Sequence, residues 1–420
     1  MRKMVEIAAS PLATEDQIEI ERRTLALAAR ADVHAICERI GDYWRNAVAA
    51  SPEQLARFDA EYARAVQCGL MTAANHDPLY PRIHAFGRSA HELDGTSVAS
   101  TRFGHPNPDY IYRFMIIDEE SRYEVSGRFP EGAADPIALE ISLLTRGEVY
   151  LKNISLHELE VRSDGSFTLH IDALPADGRA NHLSSAGGGY QLLVRDIIAD
   201  AWRQRPVQLG VRRLGPPPSR PELGLDAMAQ SVEAHLRKQA DDMIAAARDL
   251  AGKPANEFVT PKVHTEAAFP VGQAYSAGRF LIADDEALVF IVERGIAAFA
   301  SVTVSNFWGG VGESVRRPVS LGTTMARSNP DGRFVFILSH GDPGVHNWVN
   351  PDGLHEGAVL VRWVGLGPDW GDRPPPALEV FRVKLDALAE HLPDGTPRIN
   401  AAARALQIED RARAYGALLG

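Results

Sequence analysis

Cysteine is nearly missing from this 420-residue chain: Cys37 and Cys68 are the only two, 31 positions apart in segments that read as helical. Neither a disulfide framework nor a thiolate zinc site can be built from them, so both read as buried, reduced thiols. Positive charge is in deficit as well. Lys and Arg number 44 against 55 Asp and Glu, a net −11, and no stretch gathers them as a nucleic-acid footprint requires. Long apolar runs are absent: Glu6 interrupts the stretch after Met1-Arg2-Lys3, and nothing later approaches the roughly 20 residues that span a bilayer. The expectation is a cytoplasmic protein with no nucleic-acid and no membrane partner. What is present, 45% hydrophobic and 24% charged residues, is the composition of a globular chain of two or three domains.

The pattern changes along the chain. From about Glu15 to Met71 the apolar positions Leu25, Leu27, Ala28, Val33, Ile36 and Ile40 keep a helical period, and Ser51-Pro52-Glu53 restarts the helix with a cap, a first-turn proline and an acid. After Asn107-Pro108-Asp109, short apolar runs punctuated by Gly, Asp and Pro predict strands. Beyond Pro216-Pro217-Pro218, residues Met228, Val232, Leu236, Met243, Ala247 and Leu250 predict one long helix. A second strand-rich stretch, 274 to 363, is followed by Pro374-Pro375-Pro376 and helical segments expected at about Leu378 to His391 and Ile399 to Leu418. The resulting division is a helical region 1–95, a β module 96–220, a helical linker 221–270, a second β module 271–376 and C-terminal helices 377–420.

The two β modules read as copies. Asp164-Gly165-Ser166-Phe167 is followed by Asn181-His182-Leu183, 17 positions after Asp164, and 12 later by Leu193-Val194-Arg195-Asp196. In the second module Asp331-Gly332-Arg333-Phe334 precedes Asn347-Trp348-Val349 by 16 positions, and Leu360-Val361-Arg362-Trp363 begins 13 further on. Upstream, Tyr112 and Phe114 are set against Tyr275 and Phe280. This ordered recurrence predicts an internal duplication, and with it an α+β protein of two related antiparallel, jelly-roll-like β-sandwich modules with helical N-terminal, linker and C-terminal segments. A groove where the copies meet is the expected place for a small molecule.

The stretch His340-Gly341-Asp342-Pro343-Gly344-Val345-His346-Asn347-Trp348-Val349, with Gly353, Gly357 and Leu360-Val361-Arg362-Trp363, resembles the C-terminal signature of the bacterial domain-of-unknown-function 1214 family. Asp285-Glu286-Ala287-Leu288, Asn306-Phe307-Trp308 and Ser320-Leu321 extend the resemblance over about Tyr275 to Trp363. It implies β-sandwich domains in a soluble bacterial protein, often accompanied by a domain of unknown function 1254, and it carries no activity. His346, Gly322 and Asn350 depart from the residues common in that family.

Asp342-Pro343-Gly344 is first a turn. His340, Asp342 and His346 nevertheless crowd seven residues, and a histidine oriented by a carboxylate is a suitable proton shuttle near neutral pH. The same three could serve a metal-dependent hydrolase or lyase, although the spacing is not a specific zinc signature. Asn306 with Trp308 and Asn347 with Trp348 each put an amide near an indole, as core packing or as a ligand wall. Arg195 and Arg362 lie inside apolar strands, where a guanidinium must be paired or reach a polar cavity; salt bridges to Asp172 and Asp342 respectively are the structural reading. Asn107, Tyr110, Tyr112 and Arg113 form a polar and aromatic cluster, and Tyr112 or Tyr275 is a candidate proton donor. Ser184-Ser185-Ala186-Gly187-Gly188-Gly189 lacks the lysine of a phosphate loop, and no Gly-x-Ser-x-Gly elbow is present.

These residues predict a cofactor-independent lyase or isomerase performing elimination, retro-aldol cleavage or isomerisation on a hydrophobic, oxygenated aromatic or alicyclic compound. His340, Asp342, His346, Arg362 and Tyr275 are its expected catalytic group, and Asn306, Trp308, Asn347, Trp348, Tyr112, Arg113 and Arg195 its binding group, with no cofactor or metal assigned. A non-catalytic carbohydrate- or ligand-binding sandwich uses the same residue types. The apolar helix faces also allow a homo-oligomer.

Overall fold

Thr14 opens the first helix by accepting the Gln17 backbone N–H at 3.2 Å, and Glu15 and Asp16 oppose the helix dipole. The N-terminal helices are α1 (Glu15–Ala28), α2 (Ala31–Ala47), α3 (Pro52–Leu55) and α4 (Phe58–Ala74). Ser51 caps α3 as its sequence predicts, accepting the Gln54 N–H at 3.3 Å with Pro52 in the first turn. The computed structural model describes residues 10–263, 272–367 and 376–419; the Met1-Arg2-Lys3 start and Pro374-Pro375 lie outside them. Cys68 is buried and Cys37 is half-buried, a correction to the expectation that both are interior.

The strands that follow are β1 (His84–Phe86), β2 (His91–Leu93), β3 (Thr96–Val98), β4 (Tyr110–Ile116), β5 (Arg122–Arg128), β6 (Ala138–Thr145), β7 (Tyr150–Ser155), β8 (Ser166–Asp172), β9 (His182–Ser184), β10 (Gly189–Ile197) and β11 (Gln208–Leu214). Helix α5 (Leu225–Ala251) leads to β12 (Lys262–Val263), β13 (Gln273–Leu281), β14 (Glu286–Glu293), β15 (Phe299–Ser305), β16 (Ser320–Gly322), β17 (Phe334–Leu338), β18 (Trp348–Val349), β19 (Glu356–Val364) and β20 (Ala377–Lys384). The chain ends in α6 (Leu388–His391) and α7 (Ala401–Leu419).

The sheet orders establish the duplication. The first module has sheets β1-β4-β10-β6-β7 and β11-β5-β8-β9; the second has β12-β13-β19-β15-β16 and β20-β14-β17-β18. Each strand of one order has its counterpart in the other, including a parallel β8–β9 pair matched by a parallel β17–β18 pair in otherwise antiparallel sheets. Register fixes residue equivalence: Arg195 lies opposite Tyr112, and Arg362 opposite Tyr275. The Phe114 and Phe280 pairing is corrected by the same register, because Phe114 lies opposite Leu193 and Phe280 opposite Gly357. In each module both sheets feed one core, with Val125, Ile141, Leu169 and Val194 in the first and Phe290, Val302, Phe336 and Val361 in the second. The molecule is α+β, with two related sandwiches between helical segments.

The expected helix at Leu378 to His391 is mostly strand β20, which pairs along β14 over eight positions; only Leu388–His391 is helical. Leu378 and Val380 pack on the sandwich core while Phe381 and Val383 pack on the side of α6, an alternation of period two that the Leu and Ala residues following the strand obscure. Likewise β1 falls inside the span read as N-terminal helix and β12 inside the linker, since each is a two- or three-residue edge strand with little periodicity to detect.

Helix α5 buries Met228, Val232, Leu236, Ala240, Ile244, Ala247 and Leu250 against α2 and α4. Gly69 permits the approach: a Cβ there would lie 2.4 Å from a Leu236 methyl carbon. Helix α7 spans both modules. Arg404 bonds Asp342 and the Val345 and His346 carbonyls of the second, while Tyr415 donates to Asp109 of the first.

Candidate functional site between the modules

Alternation along the strands places the two duplicated arginines on facing surfaces. In β10, Leu192 and Val194 enter the sandwich core, so Arg195 points outward from the five-stranded sheet; in β19, Val361 and Trp363 enter the core and Arg362 points outward. The outer faces of these sheets meet, with Tyr110, Ala138 and Ile197 of the first packing on Phe299 and Val364 of the second. This covering of both faces explains why β6 and β15 are buried along nearly their whole length. Between them lies a cavity of about 320 Å³ lined by Phe86, Phe103, Phe114, Tyr110, Tyr112, Tyr150, Tyr275, His105, Arg195 and Arg362.

The two copies differ in the residue that faces each arginine across the ladder. Opposite Arg195 stands Glu140, and opposite Arg362 stands Ser301. Arg195 donates to Glu140 at 3.0 Å and to the Tyr150 hydroxyl, and Gln273 donates to both Glu140 oxygens at 2.5 and 2.6 Å. Burial works against the Arg195 charge, but Glu140 together with the surrounding tyrosines Tyr150, Tyr275 and Tyr112 holds the guanidinium above its usual range. Arg362 has no such partner. Its Nη2 donates to the His105 carbonyl at 2.6 Å, its Nη1 is buried without a hydrogen bond, and it makes no ion pair among the described residues. Ser301 accepts from Asn107 at 2.8 Å. A buried guanidinium left uncompensated is costly and needs an anion.

Other polar groups face the same space. The Tyr110 hydroxyl is buried with no hydrogen-bond partner among the described residues. Burial, with Tyr275 and against Arg362, holds its phenol protonated far above the ordinary tyrosine range, and burial does the same for Tyr275, whose hydroxyl donates to Gln273. His105 pairs Nδ1 with the Ser305 hydroxyl at 2.8 Å; burial and then Arg362 push it down to about 4, so it is a neutral imidazole at pH 7. The set comprises a cation, phenol donors, a neutral ring nitrogen and aromatic walls.

Tyr112, Arg195, Tyr275 and Arg362 are thus brought together, whereas the other sequence-predicted residues are placed elsewhere. Arg113 points to the other side of β4 toward Asp196 and the Val207 carbonyl. Asp342 is held by Arg404, not by Arg362, and Asp172 by Arg179 and His182, not by Arg195. His346 bonds Asn347 Oδ1 through Nδ1 at 3.0 Å, and burial lowers its pKa. His340 lies against His355, ring centroids 4.3 Å apart, so His340, Asp342 and His346 do not converge. Asn347 clasps the backbone of Arg327, and its counterpart Asn181 clasps that of Glu160, which identifies the recurrent asparagine as a loop staple. Trp348 donates to the Ser339 carbonyl under Arg404. Trp308 is fully buried among Trp44 and Phe58 with its indole N–H on the Gln54 carbonyl, and Asn306 braces that loop through Glu61 and the Trp308 and Gly310 N–H groups. In the Gly187-Gly188 loop both backbone N–H groups hold the Glu119 carboxylate of the chain itself. Sequence reasoning missed Glu140, His105 and Tyr150. Glu140 carried the same signal as Arg195, a charge inside an apolar run.

No family model matches the chain, and no curated protein matches it. Among solved structures, an uncharacterised protein from Burkholderia cenocepacia is similar over 87% of this chain and 99% of its own, with 22% identity and a TM-score of 0.71, which shows a shared fold. A protein from Vibrio parahaemolyticus aligns over 66% of this chain and 90% of its own at 12% identity and a TM-score of 0.41. No helix among the described residues is long and apolar enough to cross a membrane.

Proposed function

We propose that the inter-module cavity binds a small hydrophobic carboxylate or related oxyanion, and that the protein is a cofactor-independent lyase or isomerase acting on it. The observation that carries the reading is Arg362, buried to 6% exposure without an acid partner, at an aromatic cavity. A volume of about 320 Å³ is near the lower end for small-molecule sites, which favours a compound of about one ring. In this reading Arg362 holds the anion, Tyr110 donates its unpaired hydroxyl to a second oxygen, Tyr275 stands beside it with its own proton held by Gln273, and neutral His105 accepts a proton beside the bound oxyanion. The resemblance of the 275 to 363 stretch to the domain-of-unknown-function 1214 family belongs to the same proposal.

A thermal-shift series with benzoate, phenylacetate and cyclohexanecarboxylate against their amides tests the binding. Carboxylates should raise the melting temperature where amides do not, and Arg362→Gln should abolish the response. An equal response in that variant would remove Arg362 from the site. His105, held neutral by its burial and by Arg362, favours a second reading, binding without turnover. Recovery of a bound compound unchanged after prolonged incubation, in wild type and His105→Gln alike, would select it.

A further inference from the structure

The structure assigns a divalent-cation site to Asp284, His340 and His355 at one end of the second sandwich, distinct from the inter-module cavity and independent of its reading. Strand register makes the juxtaposition. Leu281 at the end of β13 lies opposite Glu356 at the start of β19, and Leu288 near the start of β14 lies opposite Leu338 at the end of β17. The β13–β14 turn carrying Asp284, the residue two beyond β17 and the residue before β19 therefore emerge together, and the Ile282 N–H bonds the His355 carbonyl at 2.9 Å. One ring nitrogen of each histidine and one Asp284 oxygen lie within 4.8 Å of one another.

Three further observations point to a ligand here. His340 Nε2 is buried without a hydrogen-bond partner among the described residues, although its ring lies 4.3 Å from that of His355. His355 Nδ1 bonds Glu53 of α3 at 3.0 Å, leaving Nε2 on the side of Asp284 at 3.2 Å. A carboxylate on the far nitrogen is how proteins fix the tautomer and aim of a metal-binding imidazole. Finally, the only ion-pair partner of Asp284 and of Glu53 among the described residues is the His355 imidazole; no Lys or Arg neutralises either.

Two imidazoles and one carboxylate, with room for water, suit Zn²⁺ or a neighbouring late first-row ion rather than Mg²⁺ or Ca²⁺, which prefer all-oxygen sets. Ligand atoms around a zinc ion sit about 2.0 to 2.2 Å from it, so the group must contract. Asp284 and His355 can supply that movement, their side chains being 84% and 47% exposed. Because Glu53 belongs to α3, a bound ion also ties the N-terminal helices to the second module.

The test uses full-length, untagged, metal-stripped protein titrated with Co²⁺ and Zn²⁺. We expect one equivalent of each, an intense visible Co²⁺ spectrum of tetrahedral type that Zn²⁺ displaces, and no competition by Mg²⁺. His355→Ala, Asp284→Asn and His340→Phe should each lose the spectrum, the last keeping an aromatic ring against His355 so that lost packing is not the cause. Glu53→Gln should keep the stoichiometry and weaken binding about 10- to 100-fold. No stoichiometric binding by wild type, or binding that survives both His340→Phe and His355→Ala, would overturn the assignment.

Discussion

Arg195 and Arg362 hold the same position in two copies of one strand, and what separates them is the residue across the ladder. Glu140 neutralises the first and Ser301 cannot neutralise the second. Ser301→Glu should therefore give Arg362 an internal partner and eliminate any stabilisation by carboxylate ligands, while Ser301→Gln, of similar size and no charge, reduces it less. Isothermal titration with the best carboxylate checks this, and equal loss in both would mean that bulk rather than charge is responsible. The arginines were legible in the sequence because a charge inside an apolar strand must have a purpose. The group around Arg362 was not, since His105 and Tyr150 are near it only through the packing of two modules. Proximity in sequence misled at His340, Asp342 and His346, which an extended chain and a turn send to different partners.

Among the elements, the 306–310 loop after β15 shows how a residue type suited to ligand contact serves packing. Trp308 inserts into the N-terminal helices, between Trp44 and Phe58, and its N–H is satisfied by Gln54. Trp308→Ala should cost about 3–5 kcal/mol of stability by leaving a cavity, and ligand response at low temperature should persist. A urea titration reads the first and a thermal-shift or calorimetric ligand series the second. The helical character of the 15–71 region and of α5 was legible from a 3.6-residue period and the Ser51 restart, though not the breaks between α1, α2, α3 and α4. Strand β20 was not, because it runs without a Gly or Pro break into Leu385, Ala387, Leu388 and Ala389 of the following helical turn, and the two-residue β12 has no period to read.

For the whole molecule, the duplication was readable from three landmarks and their spacing, whereas the face-to-face meeting of the five-stranded sheets was not, since no local pattern states which outer face finds a partner. Acid sensitivity follows from what this assembly buries. His84 is 2% exposed, accepts from Asn75 at 2.9 Å, and burial pushes its pKa down to about 3. An unfolded chain protonates this residue below about pH 6.5 and the folded chain does not until about pH 3, so stability falls as pH falls through that window. The slope for one such histidine approaches about 1.4 kcal/mol per pH unit. Urea midpoints at pH 7 and pH 5 should differ accordingly, and the difference should shrink in His84→Phe, whose ring can keep the contacts with Phe86 and Phe114; an unchanged difference would place the sensitivity elsewhere.

The Glu140 and Ser301 difference has a bearing on how such a site can arise. In a symmetric dimer of a single module, one gene writes both strands, and any acid placed opposite one arginine appears opposite the other. Joining the copies in one polypeptide removes that bond between them, so one half can keep its counter-ion for scaffolding while the other gives it up. The result is a pair of twins with divided labour, one arginine spent on holding the two modules together and the other left open to a guest.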